Sequence, residues 1–328
     1  MSIAIGDIML RNRALLAPMA GITDLPFRQL AARFGAALTT SEMVASGELV
    51  TGRASTATKA DIDPALGPAA VQIAGREAGL MAEAARIAEG GGAEIIDINM
   101  GCPAKKVTTG LSGSALMRDL DHALTLIDAV ANAVRAPVTL KMRLGWDETS
   151  INAPELAKRA ENAGVRLVTV HGRTRQQFYK GAADWRAVAA VKAAIGVPLV
   201  VNGDIATAAD ARTALAQSGA DAVMIGRAAQ GAPWVPAMIG AALEGRAFEA
   251  PDQAARLGLA IEHYEAMLSH YGRELGARVA RKHLSWALER EPGAEALRAR
   301  IVRMREPEDV ILALRGGFDA APTEREAA

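Results

Sequence analysis

The side chains best suited to chemistry in this chain are gathered at the ends of short apolar runs. Gln72 lies in AAVQIAG. Asn99 and Cys102 end EIIDINMG and begin the CPAKKV that follows. Lys141 and Arg143 lie in VTLKMRLG, His171 and Arg173 in LVTVHGR, Asn202, Gly203 and Asp204 in PLVVNGD, and Gly226 and Arg227 in AVMIGR. The run ALLAPMAG ends in Pro18, Met19 and Ala20. A thiol keeps its proton at neutral pH and can donate it, an ammonium can offset a developing negative charge, and amides and an imidazole can orient a ligand. Cys102 is the only cysteine, which excludes an intramolecular disulfide and any cysteine-based zinc site. Taken alone, it reads equally well as a proton donor or as an inert buried thiol. Lys141, between Leu140 and Met142, is costly to bury without a partner.

The elements that must position these groups follow from the same runs. Eight of them recur: Ala14–Gly21, Ala37–Val44, Ala69–Gly75, Glu94–Gly101, Val138–Gly145, Leu167–Arg173, Pro198–Asp204 and Ala222–Arg227. Ala-rich helical segments such as Gly79–Glu89 and Pro154–Ala163 separate most of them, and Gly91 and Gly92 read as a helix stop. Strands alternating with helices imply βαβ units and a parallel sheet. Eight units without a reversal predict an α/β fold, a (β/α)8 TIM barrel, over an open doubly wound sheet. The leading segment Ile3–Arg13 is expected to form a hairpin closing the barrel bottom. In a barrel, functional groups lie at the C-terminal ends of strands, where the polar residues collect here. The glycines of NGDI and GRAAQG follow the seventh and eighth strands, where barrels commonly bind phosphate on free N–H groups. Their plainer reading is as ordinary turn residues.

Beyond about Pro251 the pattern changes. Leu257, Ile261, Tyr264, Leu268 and Tyr271 recur at helical spacing, Gly276–Glu289 and Ala294–Arg305 also read as helical, and no strand is evident. The chain is therefore expected to divide into a barrel over residues 1–245 and an all-helical C-terminal domain over 250–328. Gly231–Pro251 would connect them, and Ala320–Ala328 would fray.

Lys+Arg and Asp+Glu both number 37, so the formal net charge is zero, unlike a dedicated nucleic-acid binder. From Arg273 to Arg305, however, nine Lys/Arg stand against four Asp/Glu. There is no signal-peptide pattern and no apolar stretch long enough for a membrane span, and one cysteine suits a reducing cytoplasm. Neither G-x-G-x-x-G after a strand, nor a P-loop, nor H-E-x-x-H is present. A flavin mononucleotide, flat and carrying one phosphate, suits a barrel mouth better than a nicotinamide domain, and no metal is expected.

The ordered motifs APMAGITDLPFR, SEM, VQIAG, DINMGCPAKKV, GSALM, VTLKMRLGW, HGRTR, VNGDI, GADAVMIGRAAQGAPW and ARKHLSW resemble the tRNA-dihydrouridine synthase family, and its bacterial B subgroup most closely, from about Ile5 to Trp286. That resemblance implies FMN on the barrel mouth and reduction of the C5–C6 bond of tRNA uridines, with hydride to C6 and a proton from Cys102 to C5. Pro18, Met19 and Ala20 would lie along the ring, with Gln72 on its polar edge, Lys141 at its pyrimidine end and His171 facing it. Asn202, Gly203, Asp204, Gly226 and Arg227 would hold the ribityl chain and phosphate. Asn99 would orient the uracil, although it also reads as a turn-former. NADPH would reduce the flavin, the tRNA target would lie in the D-loop, and the protein would act as a monomer. A uridine in folded RNA must leave its stack to reach such a site, at a cost met by contacts to phosphates elsewhere. Lys105, Lys106, Arg143, Arg173 and Arg175 on the rim, and Arg278, Arg281 and Lys282 on one helix face, are the candidates. The competing readings are an FMN enzyme acting on a free pyrimidine and a non-catalytic RNA-binding barrel.

Overall fold

The structure, a computed structural model, describes residues 3–64 and 67–317. Its contacts divide the chain into two units: one runs to Ala229 and resumes over Trp234–Phe248, and the other comprises Gln230–Pro233 and the chain from Glu249. The segment Ala320–Ala328 lies outside the described residues.

The first unit opens with an antiparallel hairpin, β1 (Ile3–Ile5) and β2 (Ile8–Leu10), with Ile3 opposite Leu10. The main sheet follows as β3 (Ala14–Leu16), β4 (Thr39–Thr40), β5 (Val44–Ala45), β6 (Ala69–Ala74), β7 (Ile95–Met100), β8 (Val138–Arg143), β9 (Leu167–His171), β10 (Leu199–Asn202) and β11 (Ala222–Ile225). All its pairings are parallel. The order runs β4-β3-β11-β10-β9-β8-β7-β6-β5, and a β4–β6 pairing closes the ring. The fold is the expected TIM barrel. Its second run is split: β4 and β5 flank Ser41, Glu42 and Met43, and each pairs with a different part of β6.

The lower end of the barrel is apolar. Leu15, Leu38, Ala70, Ile95, Leu167, Val200 and Ala222 pack with Ile3, Ile5 and Leu10 of the hairpin, which plugs that end as predicted. Burying each large aliphatic side chain contributes roughly 1.5–3 kcal/mol, so this layer fixes the strands before any polar group is placed. Helix starts are written locally. Asp24 accepts a hydrogen bond from Phe27 N (3.1 Å) ahead of helix Leu25–Phe34, and Thr207 and Asp210 form a reciprocal capping box on Ala208–Ser218. The span Gly231–Pro251 is no simple connection. It contains helix Val235–Leu243, with Val235, Ala237, Ile239 and Ala241 buried and Pro236 in its first turn.

The regular elements of the second unit, among its described residues, are all helices: Gln253–Tyr271, Arg273–Glu289, Glu295–Ile301 and Pro307–Gly316. Ala260, Tyr264 and Met267 of the first helix are buried, whereas Leu257, Ile261, Leu268 and Tyr271 flank them half-buried. The buried line is thus shifted from the predicted stripe, because the small Ala260 and the flexible Met267 admit closer packing against Ala280 and Leu284. Among the described residues no helix is long and apolar enough to cross a membrane.

Candidate active site

Successive strand residues face opposite sides of a sheet, so one parity of each barrel strand points inward. Register carries that parity around the ring: Gln72 lies opposite Asp97, Asp97 opposite Thr139, Asn99 opposite Lys141, Lys141 opposite Thr169, Arg143 opposite His171, and His171 opposite Asn202. Nearly every residue proposed for chemistry on the middle strands therefore faces the barrel interior, above the apolar plug.

Cys102 leaves β7 on a loop held from both sides. Asn99 Oδ1 accepts hydrogen bonds from Gly101 N (3.1 Å) and Cys102 N (2.9 Å). The Cys102 carbonyl accepts from Ser114 N (3.1 Å) and Ser114 Oγ (2.8 Å). Gly113, with φ +59°, must lack a side chain: a Cβ there would lie 2.9 Å from the Cys102 oxygen and 3.2 Å from Cys102 Cβ. Cys102 itself is half-buried. Asn99 has committed its carbonyl to this turn, and its Nδ2 donates to Gln72 Oε1 (2.8 Å). The turn-forming reading of Asn99 is thus what the geometry supplies. Gln72 Nε2 donates in turn to Asp97 Oδ2 (2.6 Å), and Thr139 Oγ1 donates to Asp97 Oδ1 (2.5 Å). Burial pushes the Asp97 carboxyl up, opposed by Thr139, Gln72 and the charge of Lys141.

Lys141 donates to Asn202 Oδ1 (3.2 Å), while Asn202 Nδ2 donates to the Met224 carbonyl (2.8 Å). Burial, reinforced by the Arg143 charge, pushes the Lys141 ammonium down to about 8, with Asp97 and Cys102 opposing. Burial and then the charges of Lys141, Arg143, Arg173 and Arg227 hold the His171 imidazole well below its ordinary range. Its Nε2 lies 3.3 Å from Arg173 Nη1, a group that only donates, so Nε2 accepts and the ring proton sits on Nδ1.

Two arginines expected on the RNA-facing rim are buried. Arg143 is 1% exposed and donates to the carbonyls of Gly101 (2.8 Å), Thr174 (2.8 Å) and Phe178 (2.9 Å). Arg173, likewise 1% exposed, donates to the carbonyls of Lys180 (3.2 Å) and Gly181 (2.7 Å) and pairs with both oxygens of Asp204 (3.0 and 2.5 Å). The assignment of both to phosphate contact is corrected. Strand parity turns Arg143 inward and Arg173 follows the end of β9, and their bonds to backbone carbonyls and to Asp204 make them braces of the loops after β7, β9 and β10. Arg175 is half-buried, stacked over the Trp146 ring at 4.8 Å, with Nη2 donating to Thr108 Oγ1 (3.3 Å). Lys105 and Lys106 are exposed on the short helix Lys105–Thr109.

At the far side of the mouth, Asp204 is a hub. Besides Arg173, it pairs with Arg227 (3.1 Å) and accepts from Ala183 N (2.8 Å). These contacts occupy both carboxylate oxygens, leaving the half-exposed Arg227, over the Tyr179 ring at 5.2 Å, as the accessible cation. Gly203 adopts φ +115°, and a Cβ there would sit 2.8 Å from both Ala183 Cβ and His171 Cδ2. Its lack of a side chain is therefore demanded by the protein's own packing. Gly226 faces Ala17 and Met19, whose Sδ would be 3.8 Å from an added Cβ. Pro18 and Met19 are half-exposed and Ala20 exposed, in a turn pinned by Thr23 on Met19 N (2.9 Å) and by a short bond from Gly21 N to the Glu42 carboxylate.

Residue-by-residue reading of the sequence missed Glu42, Asp97 and Tyr179. Asp97 was visible as an acid two positions before Asn99 in an otherwise apolar strand, a spacing that puts both on one face. Glu42 stood within the run Ala37–Val44 as its lone acid, with no amide at that spacing, and Tyr179 lies outside the apolar runs. In the helical unit Arg278 is exposed, and Arg281 and Lys282 are half-buried, on helix Arg273–Glu289. Among the described residues no group of three His, Cys, Asp or Glu side chains could hold a metal ion.

The family model described as dihydrouridine synthase matches residues 15–320. A probable tRNA-dihydrouridine synthase of Rhodobacter capsulatus is 59% identical over 330 residues, covering 100% of both chains. The tRNA-dihydrouridine synthase B of Pseudomonas aeruginosa is 43% identical, covering 96% of each. Among solved structures, an old yellow enzyme homologue from Zymomonas mobilis superposes with a TM-score of 0.54 at 15% identity, over 78% of this chain and 95% of that one, a likeness of fold.

Proposed function

This chain belongs to the dihydrouridine synthase family, and on that premise we propose that it reduces the C5–C6 double bond of D-loop uridines in tRNA, acting as a monomer with FMN at the barrel mouth, NADPH as reductant and Cys102 as proton donor. The observation that carries this reading is the placement of the single thiol. It sits on a loop fixed by Asn99 and Ser114, beside Lys141, at the polar end of a barrel whose other end is sealed.

The residues at the mouth suit a flat, phosphate-bearing group. Lys141 and Arg227 supply cations, and Gly226 leaves room beside Met19. Of the nearby carboxylates, Asp204 is offset by Arg173 and Arg227, while Asp97 and Glu42 are turned to protein donors. Lys141, Asn202 and Arg227 would hold the group, Pro18, Met19 and Ala20 would line its ring, and the second Nε2 hydrogen of Gln72 would meet its polar edge. FMN, when bound and reduced, supplies the hydride for C6 of the pyrimidine.

The chain's own residues do the rest. Cys102 Sγ gives its proton to C5 as the enolate electron pair returns to carbon, and the thiolate is reprotonated from solvent. Lys141 offsets negative charge at the mouth while that charge develops. His171, neutral with Nε2 already accepting from Arg173, serves as a fixed wall of the site. Lys105, Lys106, Arg175, Arg278, Arg281 and Lys282 remain the residues assigned to RNA phosphates.

Replacing Cys102 by Ala tests the reading. NADPH-dependent bleaching of the flavin should persist, whereas dihydrouridine in tRNA, read by mass spectrometry, should fall by about 10²–10⁴-fold, the usual weight of a positioned acid. Undiminished product formation by this variant would remove Cys102 from the mechanism.

A further inference from the structure

The hydrogen bonds linking Thr139 to Cys102 form one chain in which every donor points toward Asp97. Thr139 Oγ1 donates to Asp97 Oδ1 (2.5 Å), Gln72 Nε2 donates to Asp97 Oδ2 (2.6 Å), Asn99 Nδ2 donates to Gln72 Oε1 (2.8 Å), and Gly101 N and Cys102 N donate to Asn99 Oδ1 (3.1 and 2.9 Å). Asp97, Gln72, Asn99 and Thr139 are all buried. Each amide in the middle could in principle turn over, exchanging its oxygen and nitrogen at almost no change in shape.

Both ends forbid it. Both Asp97 oxygens accept, one from Thr139 and one from Gln72, so the Gln72 nitrogen faces Asp97; a backbone N–H only donates, so the Asn99 oxygen must face Cys102. We infer that Asp97 is a positioning residue that sets the direction of the Gln72–Asn99 amide pair and through it anchors the loop carrying Cys102. The same contact fixes which way Gln72 presents its second amide hydrogen. In a buried network the penalty falls on the mismatched link, because an acceptor facing an acceptor cannot turn to water.

Register makes the device possible. Asp97 and Asn99 are two apart on β7 and share its inner face, with Gln72 of β6 directly opposite Asp97 and bridging both. This inference rests on the assignment of Cys102 as proton donor only for its catalytic consequence; the geometry itself can be measured independently.

The chain's direction yields a reversal experiment. Asn99→Asp places a carboxylate against Gln72 Oε1 while Asp97 still holds Gln72 Nε2, so the link between 72 and 99 is lost. Adding Asp97→Asn lets the two side-chain links run the other way: the new amide at 97 donates to Gln72 Oε1, Gln72 Nε2 donates to the carboxylate at 99, and the backbone N–H groups of Gly101 and Cys102 still find an acceptor.

Because Cys102 is the only cysteine, the rate of iodoacetamide labelling of the purified full-length holoprotein, read by intact mass, reports that one loop. Asn99→Asp should change the rate by roughly tenfold, and the double variant should bring it back to within about threefold of the parent, the scale of coupling between residues of one network. If Asn99→Asp yields no folded protein, the double variant should restore folded yield and thermal stability. An unchanged rate in Asn99→Asp, or a double variant no better than the single, overturns the inference. Neither result bears on the donor assignment, which fails only if Cys102→Ala still makes dihydrouridine.

Discussion

Burial and the Arg143 charge push the Lys141 ammonium from 10.5 down to about 8, so the folded protein holds this proton less tightly than the unfolded chain does. Below pH 8 the lysine is charged in both states and the cost of desolvating it is fully present. Between about 8 and 10.5 the unfolded chain binds more protons, so this group makes stability rise with pH, and above that window the cost is gone. Lys141→Met should therefore stabilise the flavin-free protein at pH 7, by at most about 3 kcal/mol less the lost bond to Asn202. Its advantage should vanish as pH approaches 10.5, while flavin affinity and turnover fall. Urea unfolding of both proteins at pH 7 and pH 10 checks this; a Met variant less stable by the same amount at both pH values would show that the lysine is not strained. On the proposed function, this is the usual exchange of stability for activity at a site that meets an anion. The sequence marked Lys141 correctly as a lysine embedded in a barrel strand. It could not say that Arg143, two residues on and equally cationic, turns all its named donors to carbonyls of Gly101, Thr174 and Phe178, because those partners lie in the loops after β7 and β9.

The loop after β10 shows how an element can be specified by its neighbours more than by a ligand. Gly203→Ala would force a Cβ to within 2.8 Å of His171 Cδ2 and Ala183 Cβ at φ +115°, and should destabilise the protein by roughly 1–3 kcal/mol. The loss would appear in the thermal midpoint of the flavin-free protein; a loss only in flavin affinity, with the midpoint intact, would return this glycine to the ligand. Asp204→Ala strands the guanidinium of Arg173, whose side chain is 2% exposed, and should cost roughly 2–4 kcal/mol, less than for a wholly buried pair because Asp204 remains 30% exposed. Denaturant midpoints measure it, and a change under 1 kcal/mol would show that the carbonyls of Lys180 and Gly181 suffice for Arg173. The strands themselves were legible because a parallel barrel buries both faces of each, leaving continuous apolar runs. What periodicity could not show was the break around Glu42, whose side chain accepts from Gly21 N. Nor could it show helix Val235–Leu243, whose Pro236 reads as a linker residue unless recognised as a first-turn proline.

At the scale of the whole molecule the net charge is zero, so long-range attraction cannot by itself gather a polyanion, and affinity for tRNA must come from local surpluses. The richest is the segment Arg273–Arg305, where nine cations face four acids, and part of it is already spent: Arg273 is paired with Glu306 and Glu308, and Arg298 with Glu289. Arg278 and Lys282 share a helix face and, like Arg281, Arg303 and Arg305, have no partner among these ion pairs, so on the proposed function they are a pair free to displace counterions from phosphate. Each phosphate contact contributes roughly 0.7–0.9 to the slope of log affinity against log salt. Replacing Arg278 and Lys282 together by Gln should therefore weaken tRNA binding most at low salt and flatten that slope by about 1.5, with flavin reduction by NADPH unchanged. Parallel salt plots for parent and variant, measured by fluorescence anisotropy on labelled tRNA, would place the RNA elsewhere. The exposed Lys105 and Lys106, on the loop that carries Cys102, would then be the next pair to replace, since RNA held there would bring its uridine to the thiol without help from the helical unit.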